Sequence, residues 1–123
     1  MTDLREYFDK ANGRGVLATS DADGKVDTAI YSKPHFIDNE TIAFIMTDRL
    51  THKNLQSNPY ASYLFMESEV GYSGKRLYLK KTKEEDDSEL IDKLLKNDHY
   101  RDVAKYVVYF HIDKVLPLVG DGK

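Results

Sequence analysis

Apolar and polar positions in this chain repeat with two different periods, and the change between them marks out its elements. Between Thr41 and Phe65 two β-type runs, T-I-A-F-I-M-T and Y-A-S-Y-L-F, enclose the polar insert D-R-L-T-H-K-N-L-Q-S-N-P. The insert predicts a short helix. Thr51 is a plausible N-cap and Asp48 an earlier candidate, with His52, Lys53 and Asn54 in the first turn and a stop at Asn58-Pro59. The flanking runs predict strands over Thr41–Thr47 and Tyr60–Glu67.

Outside this core stretch the same reading continues in both directions. Leu4, Tyr7, Phe8 and Ala11 share one helical face, capped by Thr2 or Asp3 and ended by Asn12-Gly13, with Gly13 suited to a left-handed position. Gly15–Ser20 reads as a buried strand and Asp21–Gly24 as a hairpin turn. The next strand, Lys25–Ile37, places Val26, Thr28, Ile30 and Ser32 on one face and Asp27, Ala29 and Tyr31 on the other. Pro34 interrupts it and implies an edge, a bulge or a bend. After a glycine-flanked loop, Glu69–Gly74, comes a strand over Lys75–Lys81. The charge run Lys80–Asp87 reads as a solvated turn. Ser88 caps a second amphipathic helix striped by Leu90, Ile91, Leu94 and Leu95, with Glu89 and Lys96 placed to suit its dipole. Asn97-Asp98 breaks that pattern, and His99–Lys105 can add a further helical turn. Tyr106–Ile112 is a strong last strand that Val115–Val119 can extend. About six strands at hairpin-sized spacing, with two or three helices, predict a small antiparallel β-barrel of the all-β or α+β class.

Composition narrows the possibilities without deciding among them. At 123 residues, residues 1–123 are expected to form one domain, burying about two-thirds of the unfolded surface. Eighteen basic and 21 acidic residues leave a net charge of −3, which provides no footprint for nucleic acid or anionic lipid. The apolar runs fall short of a membrane span, and Met1–Lys10 is too charged for a signal peptide, so a cytoplasmic location is expected. The chain has no cysteine, which excludes disulfides, thiolate nucleophiles and cysteine metal sites.

The chemistry suggested by the pattern sits at the start of the central helix. A helix start exposes unpaired N–H groups and the positive end of a dipole, which suits an anion. The Thr51 hydroxyl, the amides near His52 and Lys53, and the Lys53 ammonium make a candidate phosphate cradle. An ordinary surface helix that binds nothing carries the same features. The spacing T-x-x-x-T-x-K with the L/N-x-P end, matched by Thr47, Thr51, His52, Lys53, Asn54, Leu55, Asn58 and Pro59 between two strands, resembles the phosphate-binding segment of the pyridoxamine 5′-phosphate oxidase-like flavoproteins.

That resemblance extends from about Gly13 to Phe65 and more loosely to Val119, and sharpens the fold to a six-stranded antiparallel split barrel. It implies FMN as cofactor, with deazaflavin or haem as alternatives, and a homodimer with the cofactor at its interface. It also implies that Thr51, His52 and Lys53 lie at the phosphate, that Ala29, Ile30, Tyr31 and Ser32 run alongside the isoalloxazine ring, and that Met46 and Thr47 lie near the ring or ribityl chain. Arg76 and Tyr78, after the glycine-flanked loop, are candidates to reach a partner's flavin. The arginine and lysine of the oxidase's second strand are absent here, which argues against oxidation of pyridoxamine phosphate itself. The implied function is an FMN-dependent oxidoreductase acting on a small molecule, and the alternative is a non-enzymatic flavin or haem carrier on the same fold. His35, His52, His99 and His111 are scattered without ligand spacing, so no metal site is expected. The serines lack a nucleophile-elbow context.

Overall fold

The computed structural model of the chain describes residues 3–69, 71–95 and 103–121. The elements are α1 (Leu4–Lys10), β1 (Gly13–Ser20), β2 (Val26–Tyr31), β3 (His35–Phe36), β4 (Thr41–Thr47), α2 (Leu50–Ser57), β5 (Tyr60–Glu67), β6 (Gly74–Glu85), α3 (Ser88–Leu94) and β7 (Ala104–Pro117). Seven strands form one antiparallel sheet in the order β2-β1-β5-β6-β7-β4-β3. β2 and β3 are neighbours in sequence yet lie at opposite ends of that order.

The sheet rolls up because its inner face is the apolar one. Leu17, Ile42, Phe44, Met46, Tyr63, Phe65, Leu77, Leu79, Val108 and Phe110 all enter one buried cluster, joined by Phe8 of α1 and Leu55 of α2. The ring of Tyr31, on the first strand in sheet order, meets Phe44, on the sixth, with centroids 5.6 Å apart. Phe44 in turn lies 5.0 Å from Tyr63. Only a curled sheet brings those rings together. Tyr63 also donates its hydroxyl to the carbonyls of Ser32 (3.0 Å) and Tyr31 (3.3 Å), holding the segment that crosses from one end of the sheet to the other.

The outer face is covered unevenly. Ala43, Val107 and Tyr109 point outward from β4 and β7 and form a second cluster with Ile91 of α3. Across β2, β1, β5 and β6 the described residues provide no such cover. There Ile30, Val16, Leu64 and Arg76 line up across the strands by register. Val26 (81%) and Ile30 (75%) are strongly exposed, and Tyr60, Leu64, Met66 and Tyr78 are partly so.

Several boundaries depart from the sequence reading. The sheet has seven strands rather than six and is not closed. The expected strand Lys25–Ile37 divides at Ser32–Pro34 into β2 and β3, since proline cannot continue a ladder. Helix α1 is capped by Asp3, whose carboxylate accepts from the Arg5 amide at 2.8 Å. It ends at Ala11 in extended conformation, so Gly13 is no helix terminator; it lies inside β1, where a Cβ would strike the Met66 carbonyl and approach Phe65 Cζ at 2.8 Å. The charge run is not a solvated turn up to Glu85. Lys80–Glu85 continues β6 along β7, beyond the last β5 pairing at Tyr60–Lys80, so its free side behaves as a sheet edge where charge is tolerated. Asp87, not Ser88, caps α3 by accepting from Glu89 and Leu90. β7 continues through Asp113-Lys114, with a register shift there, to Pro117, and Ala104 and Lys105 belong to that strand rather than to a helix. Thr2, Lys96, Asn97-Asp98 and His99 lie outside the described residues.

Gly15 is the most sensitive of the close approaches. A Cβ there would land on the hydroxyl end of Tyr63, which is fully buried and held by its two carbonyl acceptors. Gly15→Ala is therefore expected to lower stability by about 1–3 kcal/mol, the usual cost of overpacking. Urea unfolding checks this: the midpoint falls while the slope stays constant.

Candidate functional site

Helix α2 follows β4 through Asp48 and Arg49 and packs on β1, β2 and β4. Its N-cap is Arg49, in extended conformation and without any side-chain cap bond, so neither Thr51 nor Asp48 caps it. The first backbone bond of the helix runs from the Lys53 amide to the Arg49 carbonyl at 3.0 Å. The amides of Leu50, Thr51 and His52 precede that bond and have no helical acceptor. Among the described residues no buried side-chain nitrogen or oxygen lacks a partner. Arg49 and Lys53 are exposed cations beside those amides, and Asp48 is the nearby exposed carboxylate.

Two polar contacts fasten α2 on its β1–β2 side. Asn54, 4% exposed, donates from Nδ2 to Thr19 Oγ1 at 3.1 Å. Thr51, 5% exposed, turns its hydroxyl toward the Tyr31 phenol. Burial pushes that phenol above its ordinary pKa, while the Thr51 hydroxyl pulls it the other way.

On the opposite side His52 ties α2 to β6 and β7. Its ring stacks on Tyr106 with centroids 3.8 Å apart and planes 4° apart. Nε2 lies 2.9 Å from Glu84 Oε2, and because a carboxylate only accepts, that nitrogen carries the proton. Gln56 donates to Glu84 Oε1 at 2.9 Å and to the His52 carbonyl at 3.1 Å, and Lys81 also donates to Glu84. Burial pushes the Glu84 carboxyl up, but the bonds from Lys81, Gln56 and His52 outweigh it and hold the pKa at about 2.

The residues singled out from sequence separate into distinct surroundings. Thr51, His52, Lys53, Thr47 and Tyr31 gather around the start of α2, with the Arg49 amide bonded to the Thr47 carbonyl. Met46 is 1% exposed and sits in the core. Ala29 is half-buried, whereas Ile30 and Ser32 are exposed at the end of β2. The carbonyls of Tyr31 and Ser32 are both engaged by Tyr63. β2 has a strand partner on one side only, so part of its backbone faces outward along the edge. Arg76 is turned to the carboxy-terminal segment, bonding the carbonyls of Pro117 (3.0 Å) and Gly120. Sequence reasoning did not single out Arg49, Gln56, Glu84 or Tyr106. Only Arg49 had a local signal, as a cation adjoining the helix start.

No family profile and no curated protein matches the sequence. Solved structures do match in shape. An FMN-binding protein from Syntrophomonas wolfei superposes with a TM-score of 0.80 at 22% identity, covering 96% of this chain and 85% of that one. The chain is a split barrel. A candidate pyridoxamine 5′-phosphate oxidase from Lactobacillus delbrueckii shares this split barrel at TM-score 0.69 and 19% identity, over 94% of this chain and 93% of that one. An F420 reductase does so at 0.68 and 16%, over 94% and 98%. Of these neighbours, one is named for FMN and one for F420, and both are matched over most of their length.

Because Glu84 ionises more readily folded than unfolded, it contributes stability that is complete above the ordinary 4.5 and lost as pH falls through about 2. Glu84→Gln is expected to lower the urea midpoint at about pH 7, with the gap to wild type narrowing by about pH 3. Paired denaturation curves at the two pH values check the sign.

Proposed function

We propose that this split barrel binds FMN, with the phosphate at the start of α2, and acts as an oxidoreductase on a small molecule. The carrying observation is the uncapped first turn of α2. Its donor set consists of the Leu50, Thr51 and His52 amides and the exposed Arg49 and Lys53, the Thr51 hydroxyl being turned to Tyr31 instead. That set fits a phosphate: backbone donors, a helix dipole and two exposed cations against one exposed carboxylate. The Syntrophomonas neighbour's description as FMN-binding supports the same reading. Along the ring, the open edge of β2 offers backbone groups beside Ala29 and Ile30, and Ile30 and Val26 offer apolar surface.

When bound, FMN supplies the electron and hydride chemistry at its isoalloxazine ring. The chain's residues hold the phosphate, line the ring and limit water. The F420 reductase neighbour favours a deazaflavin as the second reading. Both cofactors carry a phosphate next to a ribityl chain, so the α2 socket serves either.

A homodimer accompanies this reading. The uncovered outer face of β2, β1, β5 and β6 carries Ile30, Val16, Leu64, Met66 and Tyr78, and a second copy of that face would bury them. Ile30→Glu together with Leu64→Glu is expected to convert a dimer into a monomer, read by light scattering. A wild-type monomer contradicts the pairing.

Lys53→Ala is expected to weaken FMN binding by about 1.5–3 kcal/mol, the size of one charge-assisted hydrogen bond, with folding little changed because Lys53 is exposed. Quenching of FMN fluorescence on titration measures it. Equal affinities in wild type and variant remove Lys53 from the site.

A further inference from the structure

The His52–Glu84 contact has a role in the proposed phosphate socket, and this inference rests on that reading of α2. His52 belongs to the first turn, and its own amide is one of the three that have no helical acceptor. Its side chain is only 9% exposed and is held on two counts: the flat stack on Tyr106 and the bond to Glu84. Thr51, one residue earlier and about 100° around the helix, is buried with its hydroxyl toward Tyr31 of β2. The first turn is therefore fixed from β2 and from β6–β7 at once. Gln56, one turn later, closes the same arrangement by bonding both Glu84 and the His52 carbonyl.

A part-buried ion pair such as this one stabilises the fold, but an apolar pair of similar volume often does as well. The ion pair also fixes direction. An anion socket made of amides works only if those amides keep their aim without a ligand, because reorienting them on binding costs affinity. We infer that His52 is a positioning residue: anchored by Glu84 and Tyr106, it sets the orientation of the first-turn amides toward an incoming phosphate, rather than contacting the cofactor with its ring.

The inference separates phosphate recognition from the rest of flavin binding. Riboflavin shares the ring and ribityl chain of FMN and lacks the phosphate. FMN and riboflavin titrations on the wild-type chain, His52→Phe, Glu84→Gln and the double variant, read by flavin fluorescence, test it. His52→Phe keeps a flat ring against Tyr106 and removes the donor, and Glu84→Gln removes the ionic acceptor. Each single variant is expected to bind FMN roughly tenfold more weakly, as for one lost charge-assisted bond. The double variant is expected to be no worse than either, since both break the same contact. Riboflavin affinity stays at the wild-type value, which also reports that each variant is folded. Equal losses for FMN and riboflavin, or additive losses in the double variant, overturn the positioning role. A wild type that binds FMN no better than riboflavin overturns the phosphate socket itself, and the inference with it.

Discussion

The orientation of one short helix depends on four strands of the sheet at once. Helix α2 is eight residues long, and isolated helices of that length do not hold together in water. It exists because the sheet grips it. Leu55 sinks into the main core, Asn54 bonds Thr19, Thr51 faces Tyr31, and His52 reaches Glu84 and Tyr106. Three of these side chains are polar and nearly inaccessible. Each needs its partner, because a buried polar group left unpaired costs about 1–3 kcal/mol. Position and direction of the helix are thereby coupled to β1, β2, β6 and β7 together.

That coupling depends on the way the sheet curls. β2 and β3 stand at its two ends, joined by the short crossing Ser32–Pro34, and Tyr63 holds the crossing by its hydroxyl while its ring sits against Phe44. If the sheet were flatter, Tyr31 could not reach both Phe44 and Thr51. Curvature therefore places the open edge of β2 beside the start of α2. An edge strand with free backbone groups next to an uncapped helix start is a combination suited to an aromatic ring system carrying an anionic tail. On the outer face of the sheet α3 covers β4 and β7, and among the described residues nothing comparable covers β1, β2, β5 and β6.

Much of this was legible from local pattern. β4 and β5 were read with their observed limits, since each is a β-rich run bounded by polar turns, and the helix between them followed from the loss of that pattern. What escaped was information carried by distant residues. Gly13 and Gly15 look like ordinary punctuation, yet one is required by the Met66 carbonyl and the other by Tyr63, some fifty residues away. The end of β6 reads as a solvated charge run because its partner on one side has stopped, and no local signal reveals that. Glu84 was lost with it. Its importance comes from His52, Gln56 and Lys81 converging on it, and three-dimensional convergence leaves no trace in spacing. The cap of α2 was misplaced for a simpler reason: Arg49 makes no side-chain cap bond, so the residue types that usually announce a helix start are not the ones used.

The central claim is that the first-turn amides of α2 receive a phosphate. It is tested most directly by following backbone amide resonances of the ¹⁵N-labelled protein during titration with FMN. The account predicts that the amides of Leu50, Thr51 and His52 move furthest and shift in the direction of a stronger hydrogen bond. If those three stay in place while FMN binds elsewhere on the barrel, the claim is wrong.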